Sequence, residues 1–196
     1  MFAYVVGFGG GKDHGIALIE NAAKSPETFV DARVALLLVY AREGRHVDAL
    51  RVARELEQQY PRNRLFTLEA GSAAIRAGRA AEAESTLTRG LGAYDKDPRP
   101  KIPGERAFWL YKRAVARLAV NRPGDARSDL DLALQNDPAD WTRGRIHLQL
   151  GKLADLASRR TDAINEYRVA QTTCSTHRDP ICADEAERLL RKPFKN

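Results

Sequence analysis

VALLLVYAREGRHVDALRVARELEQQYP, from Val34 to Pro61, aligns without a gap on LEAGSAAIRAGRAAEAESTLTRGL, from Leu68 to Leu91. Gly44 and Gly78 fall at the same point, as do Ala49 and Ala83, and both pairs are 34 residues apart (78−44 and 83−49). A fixed period of that size is the signature of a repeat architecture. Within the first copy, apolar residues recur at helical spacing: Leu36, Leu37 and Tyr40, then Ala49, Ala53 and Leu56. That spacing reads as two amphipathic helices separated by a turn.

Working outward, the alanine recurs at Ala126 and Ala163, at steps of 43 (126−83) and 37 (163−126). The extra residues of the longer step lie in Asp95–Gly104, where three prolines and a glycine predict an irregular connection. The turn position carries Gly44, Gly78, Asn121 and Ser158. Small residues (the four alanines, Gly71 and Gly151) stand where helix backbones must approach closely. Pro61 and Pro138 follow second helices, which a ring without an N–H cannot continue. No alternating β-branched pattern exists, so no sheet is expected.

These features resemble the tetratricopeptide repeat family, whose unit is a helix-turn-helix of 34 residues. The Leu-Gly pair of that motif stands at Leu150-Gly151 and as Ala70-Gly71, and its alanine with an aromatic four residues on stands at Ala163/Tyr167. The resemblance covers about residues 30–171. It implies an all-α fold, a right-handed α-α superhelix of about four to five hairpins. The expected segmentation is a partial repeat at 1–29 with its helix at 12–24, two units in 30–94, the connection at 95–104, two units in 105–173, and a capping helix at 182–191. The apolar start Met1–Phe8 reads as the end of a helix begun upstream, with Phe2–Val6 as its remnant, so the chain is expected to be the C-terminal piece of a longer protein.

Composition sets the remaining bounds. The 196 residues suit one domain, or two small ones. With 43% hydrophobic and 30% charged residues the chain is of globular type. Its longest apolar run, Val34–Ala41, is far short of the roughly 20 residues that span a bilayer. The charge is +6, from 32 basic and 26 acidic residues, and the pI is near 9.5. Signs alternate, as in Arg51, Arg54, Glu55 and Glu57, which predicts a mixed solvated surface. The densest basic cluster is Arg188, Arg191, Lys192 and Lys195.

Few motifs invite chemistry. Gly7–Lys12 lacks the first glycine and the Ser/Thr of a phosphate loop, since Val6 and Asp13 stand there. It reads as a helix connection. Asp95 and Asp97 lack the glycine a calcium loop needs, because Pro100 occupies its place. Asp129 and Asp131 point to different faces of a helix and are expected to be solvated. The four histidines assemble no catalytic cluster from neighbours. Cys174, His177 and Cys182 leave three readings open: free thiols, a disulfide, or a metal site one ligand short of structural zinc. A disulfide would suit an oxidising compartment such as a bacterial periplasm or envelope, and free thiols the cytoplasm.

By resemblance, the first helix of each unit lines a concave face. Its exposed positions would be Asp31, Val34, Leu38 and Arg42; Leu65, Leu68, Ser72, Ile75 and Arg76; Phe108, Tyr111, Val115 and Leu118; and Arg145, Leu148, Lys152 and Asp155. Lys and Asn, which form the family's carboxylate clamp, are replaced by Val34, Leu38, Leu68 and Ser72. The expectation is a non-catalytic scaffold without cofactor or metal. It would bind another protein or peptide, with a homodimer as a further option and no membrane insertion. Binding of RNA or another polyanion is the alternative raised by the charge, although nucleic acid is not the expected partner.

Overall fold

The computed structural model describes residues 11–195, so the readings of Phe2–Val6 and of most of the Gly7–Lys12 connection lie outside the described residues. Those described form ten α-helices and no strand. The chain divides into two compact units, Met1–Gly78 and Arg79–Asn196. Unit 1 holds α1 (Lys12–Ala22), α2 (Phe29–Arg42), α3 (His46–Gln59) and α4 (Arg64–Arg76). Unit 2 holds α5 (Ala80–Lys96), α6 (Glu105–Ala119), α7 (Pro123–Leu134), α8 (Asp140–Leu156), α9 (Arg160–Thr176) and α10 (Pro180–Arg191). In each unit successive helices pack on one another, and in unit 2 α8 also touches both α6 and α10. This is the all-α helical-repeat architecture expected of stacked hairpins.

The recurring turns have one construction. Gly44, Gly78, Asn121 and Ser158 all adopt positive φ, between 59° and 72°. After three of them, the next residue returns its N–H to a carbonyl five residues back: Arg45 to Tyr40, Arg122 to Arg117 and Arg159 to Ala154, at 2.8–2.9 Å. That bond satisfies carbonyls the helix end would otherwise orphan. The same arginines then open the next helix and pair with Asp48, Asp125 and Asp162. Arg178 and Asp179 repeat the backbone pattern before α10.

Close packing explains the small residues. Ala49, Ala83, Ala126 and Ala163 are fully buried. A Cβ on Gly151 would lie 2.4 Å from the ring of Tyr167, so the glycine of α8 makes room for the aromatic of α9. The Tyr167 hydroxyl donates to Asp155 at 2.8 Å, and Arg160 donates to the same carboxylate and to the carbonyls of Leu189 and Leu190. The tail closes on this group: the Phe194 N–H donates to Asp155 at 2.8 Å. In unit 1, the Tyr40 hydroxyl donates to Glu20 at 2.5 Å, tying α2 to α1, and Arg33 pairs with Glu55 across α2 and α3.

Asp129 departs from expectation. It is buried, and its carboxylate accepts from Arg113 at 2.7 and 2.8 Å and from Arg117 at 2.8 Å. Arg117 and Arg122 also reach Glu84, so the network joins α5, α6 and α7. The two-residue spacing that separates the faces of a helix is obeyed, but the face of Asp129 is the one turned toward α6. Asp131 pairs with Arg127 on the exposed side, as a solvated residue would.

Candidate partner-binding surface

In unit 2, α6, α8 and α10 run parallel, side by side. Phe108 meets Trp141, Arg145 meets Tyr111 and Asp179, and Lys152 meets Glu185. Their first turns therefore share one edge. Three large apolar side chains stand there: Phe108 is half-buried, Trp141 is 39% exposed and Ile181 is 75% exposed. The Phe108 and Trp141 rings meet edge to face with centroids 5.1 Å apart, and Phe108 stacks on Tyr111 at 6.2 Å. Edge-to-face and offset contacts suit the ring quadrupoles. The platform is held from below by the backbone. A Cβ on Gly104, which adopts positive φ before α6, would lie 3.0 Å from the Asp137 carbonyl, so only glycine lets the starts of α6 and α8 come this close.

Cations frame the rings. The Lys112 ammonium lies 5.0 Å from the Phe108 centroid and 5.7 Å from that of Tyr111. The Arg145 guanidinium lies 5.6 Å from the Trp141 ring. These distances are within reach of the cation–π attraction. Arg145 is fixed by a 2.5 Å bond to Asp179 and a further bond to the Tyr111 hydroxyl. Burial raises the Tyr111 hydroxyl above its ordinary pKa, so it stays neutral. For Asp179, burial alone would raise the pKa, but the Arg145 hydrogen bond and charge, with the Cys182 N–H, hold it below the ordinary value. Asp179 thus stays ionised, caps α10 through the Cys182 N–H at 3.3 Å, and anchors Arg145 against the platform.

The sequence-predicted positions divide by exposure. In unit 1, Val34 is 37% and Leu38 70% exposed on α2, and Leu65 is exposed on α4. Asp31 and Arg42 are exposed, Ile75 is half-buried, and Arg76 pairs with Glu69. Leu68 and Ser72, expected to be exposed, are buried. In unit 2, Phe108, Val115, Arg145 and Lys152 remain partly open. Tyr111, Leu118 and Leu148 are buried, contrary to expectation, and the Asp155 carboxylate is enclosed by Arg160, Tyr167 and Phe194. A helix in this fold packs on neighbours to both sides, which leaves a narrower open stripe than a single repeat suggests. Trp141 and Ile181 were missed. Trp141 lies 33 residues after Phe108, almost one repeat, and four before Arg145, and that spacing was the available signal.

Of the three readings of the cysteines, the disulfide is the one formed: Cys174 and Cys182 are bonded and buried, joining α9 to α10. Among the described residues, the one group of His, Cys, Asp and Glu close enough to hold a metal is Cys174, Asp179 and Cys182. Its sulfurs are spent on each other and its carboxylate on Arg145, so it does not offer a metal site. No helix among the described residues is long and apolar enough to cross a membrane.

Paired helices, left-handed turns and buried small residues define a helical-repeat protein. Residues 40–101 match the family model of the tetratricopeptide repeat, which supports a tetratricopeptide-repeat protein. Comparison with curated proteins finds no match.

Proposed function

We propose that this chain is a non-catalytic protein-interaction module. Its docking surface in unit 2 is the Phe108–Trp141 platform with Arg145, Val115 and Lys152 along the same helices. The observation that carries the reading is Trp141, a tryptophan left substantially exposed yet held edge to face against Phe108 and flanked by a fixed arginine. Rigid aromatic side chains with few rotamers are the groups that dominate interface energetics. Tetratricopeptide repeats generally mediate protein–protein contacts, which supports the same class. In unit 1, the open side chains Val34 and Leu38 on α2 and Ile75 and Arg76 on α4 are further candidate contact residues, whereas Leu68, Ser72, Tyr111 and Leu148 are buried. The disulfide favours an oxidising compartment.

The test is selection of a random displayed-peptide library on the chain, with Trp141→Ala as the counter-target. The expected result is peptides that bind the parent and lose about 1–4 kcal/mol on Trp141→Ala or Phe108→Ala, with the helical circular dichroism retained. Peptides that bind parent and variants equally, or no enrichment at all, overturn the proposal. A uridine oligomer that binds with a steep salt dependence would favour the polyanion alternative instead. Concentration-dependent self-association abolished by Trp141→Ala would make the partner a second copy of the chain.

A further inference from the structure

The segment after α10 belongs to no repeat helix, yet it fills a formed site. Lys192 leaves α10 with φ −133° and ψ 124°, the extended backbone that a following proline imposes. Pro193 has no N–H, so the next donor is that of Phe194, and it is spent on the Asp155 carboxylate at 2.8 Å. The Asp155 side chain is 1% exposed, and two α9 groups fix it: the Tyr167 hydroxyl at 2.8 Å and the Arg160 guanidinium at 3.1 Å. The carbonyls of Leu189 and Leu190, at the end of α10, hold Arg160 in turn. The half-buried Phe194 ring packs against the apolar core of α8, α9 and α10. The Lys152 ammonium lies 5.2 Å from its centroid, within cation–π reach, and is itself held by Glu185 at 2.7 Å.

We propose that this is a peptide-recognition site on α8, filled here by the chain's own Lys192–Lys195 segment as a removable strap, and that its external ligand is an extended segment of a partner protein with an aromatic residue after a proline. The helices supply every receiving group: a buried acceptor, an ammonium and an apolar wall, each fixed by bonds that do not involve the strap. The strap supplies one N–H and one ring. Among the described residues, the bond from the Phe194 N–H is the one hydrogen bond it makes beyond Lys192, and Lys192, Pro193 and Lys195 are exposed. A segment held this way opens at much lower cost than the helices beneath it. Its departure bares one acceptor of a buried carboxylate, which an incoming N–H then satisfies. A proline before the aromatic suits the site because it holds the ligand extended before binding and brings no second donor to leave unpaired. The site does not depend on the Phe108–Trp141 platform, because Asp155 lies 14 residues past Trp141 (155−141), about 21 Å along α8.

The probe is a fluorescein-labelled, amide-capped peptide, Arg-Lys-Pro-Phe-Lys, which copies residues 191–195. Anisotropy titration compares the parent chain with Phe194→Ala, whose helical circular dichroism is checked first. The expected result is at least about tenfold tighter binding to Phe194→Ala, because a tethered strap competes at high effective concentration in the parent. A peptide N-methylated at the phenylalanine amide, and one with alanine in place of phenylalanine, should each lose about tenfold or more. Trp141→Ala, added to Phe194→Ala, should leave the affinity unchanged. No binding to Phe194→Ala, equal binding to both chains, or indifference to N-methylation overturns the proposal. Binding that Trp141→Ala weakens moves the peptide onto the platform, which overturns this site and leaves the platform standing. A second measurement needs no variant: in the parent, the Phe194 amide should exchange with deuterium far faster than the amides of α8. Exchange at the rate of global unfolding would make the segment a permanent part of the core and overturn the strap.

Discussion

Asp129 and Asp131 stand two residues apart on α7, carry the same charge and each pair with arginine, yet their removal should have very different costs. Asp129 is 3% exposed and accepts three hydrogen bonds from Arg113 and Arg117, whose own side chains are mostly buried. Asp129→Asn removes the charge that neutralises them and turns an N–H₂ group toward a guanidinium. Glu84 would remain as the shared acid for Arg117 and Arg122, leaving Arg113 uncompensated in this network. A hydrogen bond to a charged group contributes about 1.5–3 kcal/mol, and three on one carboxylate do not add. Breaking a buried ion pair from one side costs about 3–5 kcal/mol, and that is the expected loss. Asp131 pairs with Arg127 one turn away in solvent, an arrangement that contributes about 0.3–0.5 kcal/mol. Urea titration followed by circular dichroism measures both variants. Asp129→Asn should lower the midpoint sharply, and Asp131→Asn should leave it almost in place. Equal effects, or a loss below about 1 kcal/mol for Asp129→Asn, would refute the buried network.

The remaining predictions concern unit 2. Gly151→Ala should cost about 1–3 kcal/mol by driving a methyl group into the Tyr167 ring, and thermal unfolding at parental temperature would refute that packing. Replacing Cys174 and Cys182 with serine should remove about 2.5 kcal/mol, the chain-entropy value for a closure this short, while unchanged stability under reducing and oxidising conditions would show the bond to be absent. The folded pKa of Asp179 is depressed, so the stability it contributes is complete above the ordinary aspartate value of about 3.9 and is lost as pH falls through the lower folded value. The stability gap between parent and Asp179→Asn should therefore close in acid, and a gap that persists there would contradict the Arg145 pairing.

Much of the fold was legible because repeats make the same local demand several times. Gly44 and Gly78 announce a left-handed turn, and Asn121 and Ser158 are identified as its equivalents only through register with the buried alanines. The Leu150-Gly151 and Ala163/Tyr167 signatures are two halves of one contact, which sequence places on separate helices. The surface was less legible. Helical spacing says which positions share a face, but not which neighbour covers it, so Leu68, Ser72, Tyr111 and Leu148 were expected to be exposed. Asp129 was misread for the same reason, because its partners lie 12 and 16 residues back on another helix. An arginine after the turn followed by an acid three residues on, as in Arg45/Asp48, Arg122/Asp125 and Arg159/Asp162, recurs with the repeat and was a further signal in the sequence.

The most direct test of the central claim uses the two tryptophans as internal probes. Trp109 is fully buried and Trp141 is open, so iodide quenching reads Trp141 against a silent background. Titration with a peptide selected on the chain should shift the emission to shorter wavelength and protect Trp141 from iodide, saturating with the affinity measured by calorimetry. Saturable binding that leaves iodide quenching unchanged would contradict the account, because the partner would then occupy some other face.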